Sequence, residues 1–300
     1  MVWKRRCRAL ILILLSYKLF GVSEFSARLP SAVSSFLSLI LIYFWLRSEL
    51  GQRPALLSSL ILLSSPLFLI ISRLCIIDPL FFCLLVLSLF TFWKYLKAEL
   101  AGFFPFLFLG LAFFAKGPVA LILVLLTLLV FSIWERSFVH FKKAFNPWGI
   151  MIFLLVGCSW YLILLYRIGW PAFKELLVQE TITRFKEGVS HTGPFWYYLP
   201  IIFFGFLPWS LYLILNLKAL RIKDSFLRYI SSFALVTFIF FSICRTKLPT
   251  YILPLLFPFS VYVGMILSEK YGELRRMEVG MSLVIVVASS IYVLIHPNEL

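Results

Sequence analysis

Acidic side chains are scarce in this chain, with 13 aspartates and glutamates against 28 lysines and arginines in 300 residues. Asp78 and Asp224 are its two aspartates. Charge of either sign is thin: 14% of residues are charged and 62% hydrophobic, with a mean hydropathy of +1.00. Those figures exclude a soluble globular domain and a disordered chain alike. Low-complexity linkers and convincing internal repeats are also missing. So is the apolar/polar alternation of a membrane β-barrel, because the apolar runs are continuous and rich in Leu, Ile and Phe. The five cysteines (Cys7, Cys75, Cys83, Cys158, Cys244) lack metal-ligand spacing, and four lie in or beside apolar runs. No disulfide and no cysteine metal site is expected.

What remains is hydrocarbon-compatible sequence. Crossing about 30 Å of bilayer takes roughly 20 helical residues. Runs near that length recur at 29–46, 54–72, 79–93, 98–115, 117–134, 147–166, 195–217, 228–244, 251–267 and 279–296. The expected fold is an all-α, polytopic transmembrane bundle of about ten spans over 29–296, preceded by a basic segment at 1–28. In that segment about nine apolar residues separate a basic cluster from Lys18, too few to cross a bilayer, so an interfacial helix fits.

The formal charge of +15 does not point to nucleic acid, because the basic residues are dispersed among short loops. They report topology instead. With the loop at 47–53 cytoplasmic and one crossing per run, that side holds Arg47, Arg53, Lys94, Lys97, Arg136, Lys142, Lys143, Lys218, Arg221, Lys223, Arg228, Lys270, Arg275 and Arg276. This satisfies the positive-inside rule. The opposite side holds fewer: Arg28, Arg73, Lys116, Arg167, Lys174, Arg184, Lys186, Arg245 and Lys247. It also carries the longest polar segment, an external loop at 167–193. Phe173, Leu176, Leu177, Ile182 and Phe185 recur there as on an amphipathic helix lying at a membrane surface.

Lys116 is the lone charge between Gly102 and Trp134. An ammonium in hydrocarbon costs about 2.5–3.5 kcal/mol on insertion scales and is kept for a purpose. The Gly117-Pro118 pair predicts a helix break there, hence a hairpin with Lys116 at its outer tip. An anion is the expected ligand, and a lysine snorkelling from a helix end is the alternative. Asp78 follows Arg73 at the outer end of a span and precedes Pro79, so it serves either as a helix cap or to orient external lysines and sugar hydroxyls. Arg184, Lys186 and His191 run into the aromatic string HTGPFWYYLP at 191–200, and His191 reads as structural or as a ligand. RTKLPTYILP at 245–254 sets Arg245, Lys247 and Tyr251 at the mouth of another span, or in a solvated loop. Guanidinium and ammonium groups beside helix ends on one membrane face suit a phosphate at headgroup level.

Taken in order, RLPSA (28–32), RLCIIDP (73–79), AKGPVAL (115–121), HTGPFWYYLP (191–200), LPWS (207–210) and KLPTYILP (247–254) resemble the lipid-linked-sugar glycosyltransferases of the membrane class C fold. The similarity covers about residues 16–265 and is strongest to the lipid A aminoarabinose transferases and the protein O-mannosyltransferases. It implies an inverting transferase in the bacterial cytoplasmic membrane. Such enzymes move a sugar from a polyprenyl phosphate carrier to a glycolipid, protein or other envelope acceptor on the external, periplasmic face. Cations would stabilise the charge growing on the leaving phosphate. By this resemblance Lys116, Arg184, Arg245, Lys247 and Tyr251 serve the lipid phosphate, and Asp78 matches an aspartate near the site. His191 stands where relatives have a histidine that can help hold a divalent metal ion.

The resemblance fails at the start of the chain. Relatives carry an external loop with an Asp-Glu pair and then Lys-Pro-Pro, where this sequence has MVWKRRCRALILILLSYKLFGV. An amino-terminally truncated transferase with weakened acceptor activation is therefore the expectation. A polyprenyl-phosphate carrier or flippase, or an inactive remnant, are the alternatives.

Overall fold

In the computed structural model residues 7–178, 193–220, 222 and 224–270 are described. Arg184 and His191, the expected span at 279–296 and most of the amphipathic stretch lie outside them. The described residues form helices joined by short turns. α1 (Cys7–Phe20) lies against α2 (Glu24–Leu50), and after Gly51 come α3 (Gln52–Ser64) and α4 (Pro66–Arg73). α5 (Asp78–Leu96) is followed by the hairpin α6 (Phe104–Lys116) and α7 (Val119–Trp134), then the single turn α8 (Val139–Lys143). α9 (Pro147–Gly157) and α10 (Ser159–Leu177) precede α11 (Tyr198–Gly205), α12 (Trp209–Leu215), α13 (Ser225–Ile243) and α14 (Leu253–Lys270).

Among the described residues four helices are long and apolar enough to cross a membrane: α2, α5, α13, and α14 with the turn before it. Three runs expected to cross once each are bent, and each bent pair is long and apolar enough to be one broken span. α3 and α4 meet at 64°, α9 and α10 at 50°, and the segment Phe195–Gly205 meets α12 at 105°. Each break has a local cause. Pro66 and Pro208 cannot donate a backbone hydrogen bond, while Gly157 and Cys158 end α9, where a side chain on Gly157 would crowd Gly110. α10 kinks again at Gly169, whose φ of 72° and ψ of 166° are non-helical. α2 starts earlier than the apolar run, because Ser23 caps it by accepting from the Ser26 amide.

The core joins five helices through aromatic rings. Trp45 of α2 stacks on Phe257 of α14 at 5.5 Å, and Trp93 of α5 meets Phe226 at 5.4 Å and Tyr229 at 5.3 Å, both on α13. Phe131 of α7 closes the group on Tyr229 at 5.4 Å. The buried Tyr229 hydroxyl donates to Leu89 O at 3.0 Å, so its polar end is satisfied. Serines let helices approach closely while bonding their own backbones. Ser34 donates to Pro30 O and Ser38 to Ser34 O, and both hydroxyls lie in the α2 interface.

Charge sorts to the two ends of the bundle. At one end Glu49 pairs with Lys94 at 3.1 Å and Lys97 at 3.3 Å, and Glu99 with the same lysines at 2.7 and 2.9 Å. Glu135 meets Arg228 there at 3.3 Å, and Lys143 donates to Leu96 O. Lys94, Lys97, Lys143 and Arg228, all four expected on one membrane side, take part in these contacts. At the other end the loop before α5 is tied down by Ser31, whose hydroxyl donates to Ile76 O at 2.9 Å.

α3 and α14 cross at Gly264, where a Cβ would fall on Ser58 Oγ and within 2.8 Å of Ser58 N. Gly264→Ala is expected to cost about 1–3 kcal/mol, as overpacking does, and to lower the unfolding temperature in detergent. Leu60→Ala, at a half-exposed position of α3, is expected to shift it far less.

Candidate functional site

The hairpin predicted from Gly117-Pro118 is present. α6 ends at Lys116, Gly117 adopts φ 85° and ψ −151°, and Pro118 opens α7. Only glycine takes that conformation readily, and a side chain here would also meet the Tyr161 hydroxyl of α10 at 3.0 Å. The turn leaves the Lys116 ammonium at the helix end facing α5. There its Nζ forms an ion pair with Asp78 Oδ1. Both side chains are largely shielded, 15% and 13% exposed.

Asp78 does not cap α5. Ile77 occupies the cap position, and Asp78 is the first helical residue, with Pro79 behind it. Its carboxylate therefore sits at the positive end of the α5 dipole as well as against an ammonium. Two rings complete the surroundings: Lys116 Nζ lies 4.9 Å from the Phe81 centroid and 4.6 Å from that of Tyr251. Phe81 escaped the sequence reading, although it stands one turn from Asp78 on the same helix face. Tyr251 arrives from the turn Pro249–Ile252, between α13 and α14. A small apolar cleft lies at the start of α5, lined by Leu12, Ile13, Pro30, Ser31, Ile76, Ile77 and Leu80.

The structure brings together Lys116, Asp78 and Tyr251 among the expected residues. Arg245 is exposed on the bend after α13. Lys247 behaves differently from a ligand at a loop surface, being 1% exposed. Its Nζ donates to Phe241 O at 3.0 Å and Ser242 O at 2.6 Å, and lies 5.3 Å from the Tyr198 ring. Burial pushes its ammonium below the ordinary lysine value, and Cys244 acts in the opposite sense. Hydrogen bonds from a charged group are worth about 1.5–3 kcal/mol each, so these carbonyls compete strongly with any anion. Nothing in the local spacing of RTKLPTYILP distinguishes this inward orientation from an outward one. Among the described residues no group of three His, Cys, Asp or Glu side chains comes together. With His191 outside them, the described side chains do not build a metal site, and no step is derived through a metal.

The sequence profile of the dolichyl-phosphate-mannose-protein mannosyltransferase family matches residues 9–163. The chain belongs to that family. Relatives of this mannosyltransferase-family chain include an Aquifex aeolicus protein, 32% identical over 93% of this chain and 64% of its own length. An undecaprenyl phosphate-alpha-4-amino-4-deoxy-L-arabinose arabinosyl transferase of Edwardsiella ictaluri is 32% identical over 85% of this chain and 48% of its own. The crystal structure of ArnT from Cupriavidus metallidurans bound to undecaprenyl phosphate superposes with a TM-score of 0.79 at 24% identity. That superposition covers 96% of this chain and 53% of ArnT. The chain therefore spans about half to two thirds of the length of these relatives, and its fold is the helical membrane fold of class C glycosyltransferases.

Removing one member of the Lys116–Asp78 pair strands the other in apolar surroundings. Lys116→Met is expected to destabilise more than the double variant Lys116→Met with Asp78→Asn. A thermal double-mutant cycle should give a coupling of about 1–3 kcal/mol.

Proposed function

We propose that this chain contributes the polyprenyl-phosphate site of a membrane glycosyltransferase, which moves a sugar from that lipid carrier to an envelope acceptor on the outer face of the cytoplasmic membrane. The observation that carries the reading is the Lys116 ammonium. It is held at the rim of an apolar bundle by a side-chain carboxylate and the faces of Phe81 and Tyr251. A lipid phosphate offers Lys116 a negative charge as Asp78 does, and an isoprenoid tail matches the apolar surface at the start of α5, where Ile76, Ile77 and Leu80 line a cleft.

In this reading Lys116 takes the phosphate oxygens and stabilises the charge that grows as the sugar leaves. Tyr251 lines the same space, and Arg184 and Arg245 are assigned to the same phosphate by the sequence resemblance alone. Asp78 holds Lys116 in place until the anion arrives. Displacement at the anomeric carbon with inversion, the identity of the sugar and the choice among lipid A, protein and other glycans as acceptor belong to the proposal. The name of the Edwardsiella relative supports a sugar on undecaprenyl phosphate.

The test uses the purified full chain and undecaprenyl phosphate in nanodiscs. Wild type is expected to bind it, and Lys116→Ala to weaken binding at least about tenfold, which is about 1.4 kcal/mol. Sugar transfer to lipid A from an undecaprenyl-phosphate donor would then establish the transferase. Movement of the lipid across proteoliposomes without transfer would place the chain among carriers. Binding indifferent to Lys116→Ala would overturn the site.

A further inference from the structure

Lys247 stands in the sequence as one more external cation, yet the fold uses it in another way. Its amine lies beneath the surface at the carboxyl end of α13, where the last carbonyls of a helix have no amide donor of their own. Cys244 N takes Phe240 O, and Lys247 Nζ takes the next two, Phe241 O and Ser242 O. A cation is also what the negative end of the helix dipole favours. The stem of Lys247 is packed as closely as its head. A Cβ on Gly193 would come within 3.2 Å of Lys247 Cγ, so the residue opposite must be small.

Phe241 links this anchor to the site. Its carbonyl accepts from Lys247, while its ring lies 5.6 Å from that of Tyr251, tilted by 36°. The Tyr198 ring lies against both, 6.4 Å from Phe241 and 5.3 Å from the Lys247 ammonium. Tyr251 is four residues after Lys247, at the end of a tight turn in which its amide donates to Leu248 O at 3.0 Å. At the other end of that chain of contacts is Lys116, its Nζ 4.6 Å from the Tyr251 ring centroid.

We infer that Lys247 is a positioning residue, which fastens the 244–252 loop to the end of α13 and so sets the Tyr251 ring over Lys116 without touching the lipid phosphate itself. Its consequence for lipid binding rests on the reading proposed above, whereas its effect on Tyr251 does not. The two are therefore measured separately.

Fluorotyrosine introduced at position 251 of the full chain reports the ring by fluorine NMR, and undecaprenyl phosphate titration reports the site. Wild type should give one sharp resonance, and Lys116→Met should shift it by removing the cation. Lys247→Met should broaden or split the resonance and weaken undecaprenyl phosphate binding by about tenfold, and Lys247→Arg should restore both to within about threefold. If Lys247→Met does not remain monodisperse, Gly193→Ala displaces the same stem more gently and should disturb the resonance in the same direction. A resonance unchanged by Lys247→Met while lipid binding falls would make Lys247 a direct phosphate ligand and overturn the inference. A resonance and an affinity both unchanged would overturn it equally. If wild type binds no undecaprenyl phosphate, the proposed function fails, and the fluorine signal alone decides the role of Lys247.

Discussion

An ammonium at the end of an apolar helix is stable only where something takes its charge, and in this chain Asp78 takes that of Lys116. The short connection between Leu96 and Phe104 makes α5 and α6 antiparallel, and the pair joins the start of one to the end of the other. Lys116 can turn towards α5 because Gly117 leaves the α6 axis through a positive φ that other residues resist. Pro118 then begins α7 without needing an amide donor. The Ser31 bond to Ile76 O holds the loop that delivers Asp78 from the other side. A local turn, a cap-free helix start and one interhelical hydroxyl thus converge on a single ion pair.

The two ends of the bundle use charge in opposite ways. At the end with Glu49 and Glu99, two carboxylates share two lysines in a closed network, and a further pair joins Glu135 to Arg228. Glu49, its side chain 7% exposed, is the buried centre of that network, and its two lysines hold the end of α2 against the end of α5. At the other end Asp78 is the carboxylate among the described residues that meets Lys116. There the ammonium also faces the rings of Phe81 and Tyr251, an arrangement that suits an incoming anion, whereas Lys94 and Lys97 each meet two carboxylates.

Much of this was legible from the residues. Lys116 before Gly-Pro inside an unbroken apolar run announces a turn, because a lone charge is costly in hydrocarbon and Gly-Pro interrupts the helix beside it. The partition of basic residues between two faces followed from counting loops. The bends did not follow, since an apolar run has the same hydropathy whether straight or broken, and Pro66 and Pro208 mark where a helix can break without giving the 64° and 105° angles. The early start of α2 was hidden because its cap, Ser23, lies in polar sequence outside the run. The inward turn of Lys247 was hidden for a deeper reason: its acceptors are carbonyls, which every residue carries and no sequence pattern marks.

Lys116 and Lys247 show how two lysines in similar surroundings come to different ends. Lys247 is held by backbone carbonyls of α13, which cannot move aside unless the helix end unwinds. Its charge is fixed in place, and a ligand would have to outcompete rigid dipoles in a site with 1% exposure. Lys116 is held by a carboxylate on a side chain with its own rotamers, and by ring faces that attract a cation without directional bonds. Either interaction can be exchanged for a phosphate oxygen with little movement of backbone. Buried cations in membrane proteins are commonly functional, and the acceptor decides the kind of function: a main-chain acceptor makes a support, whereas a side-chain acceptor leaves a site that can be handed to a substrate.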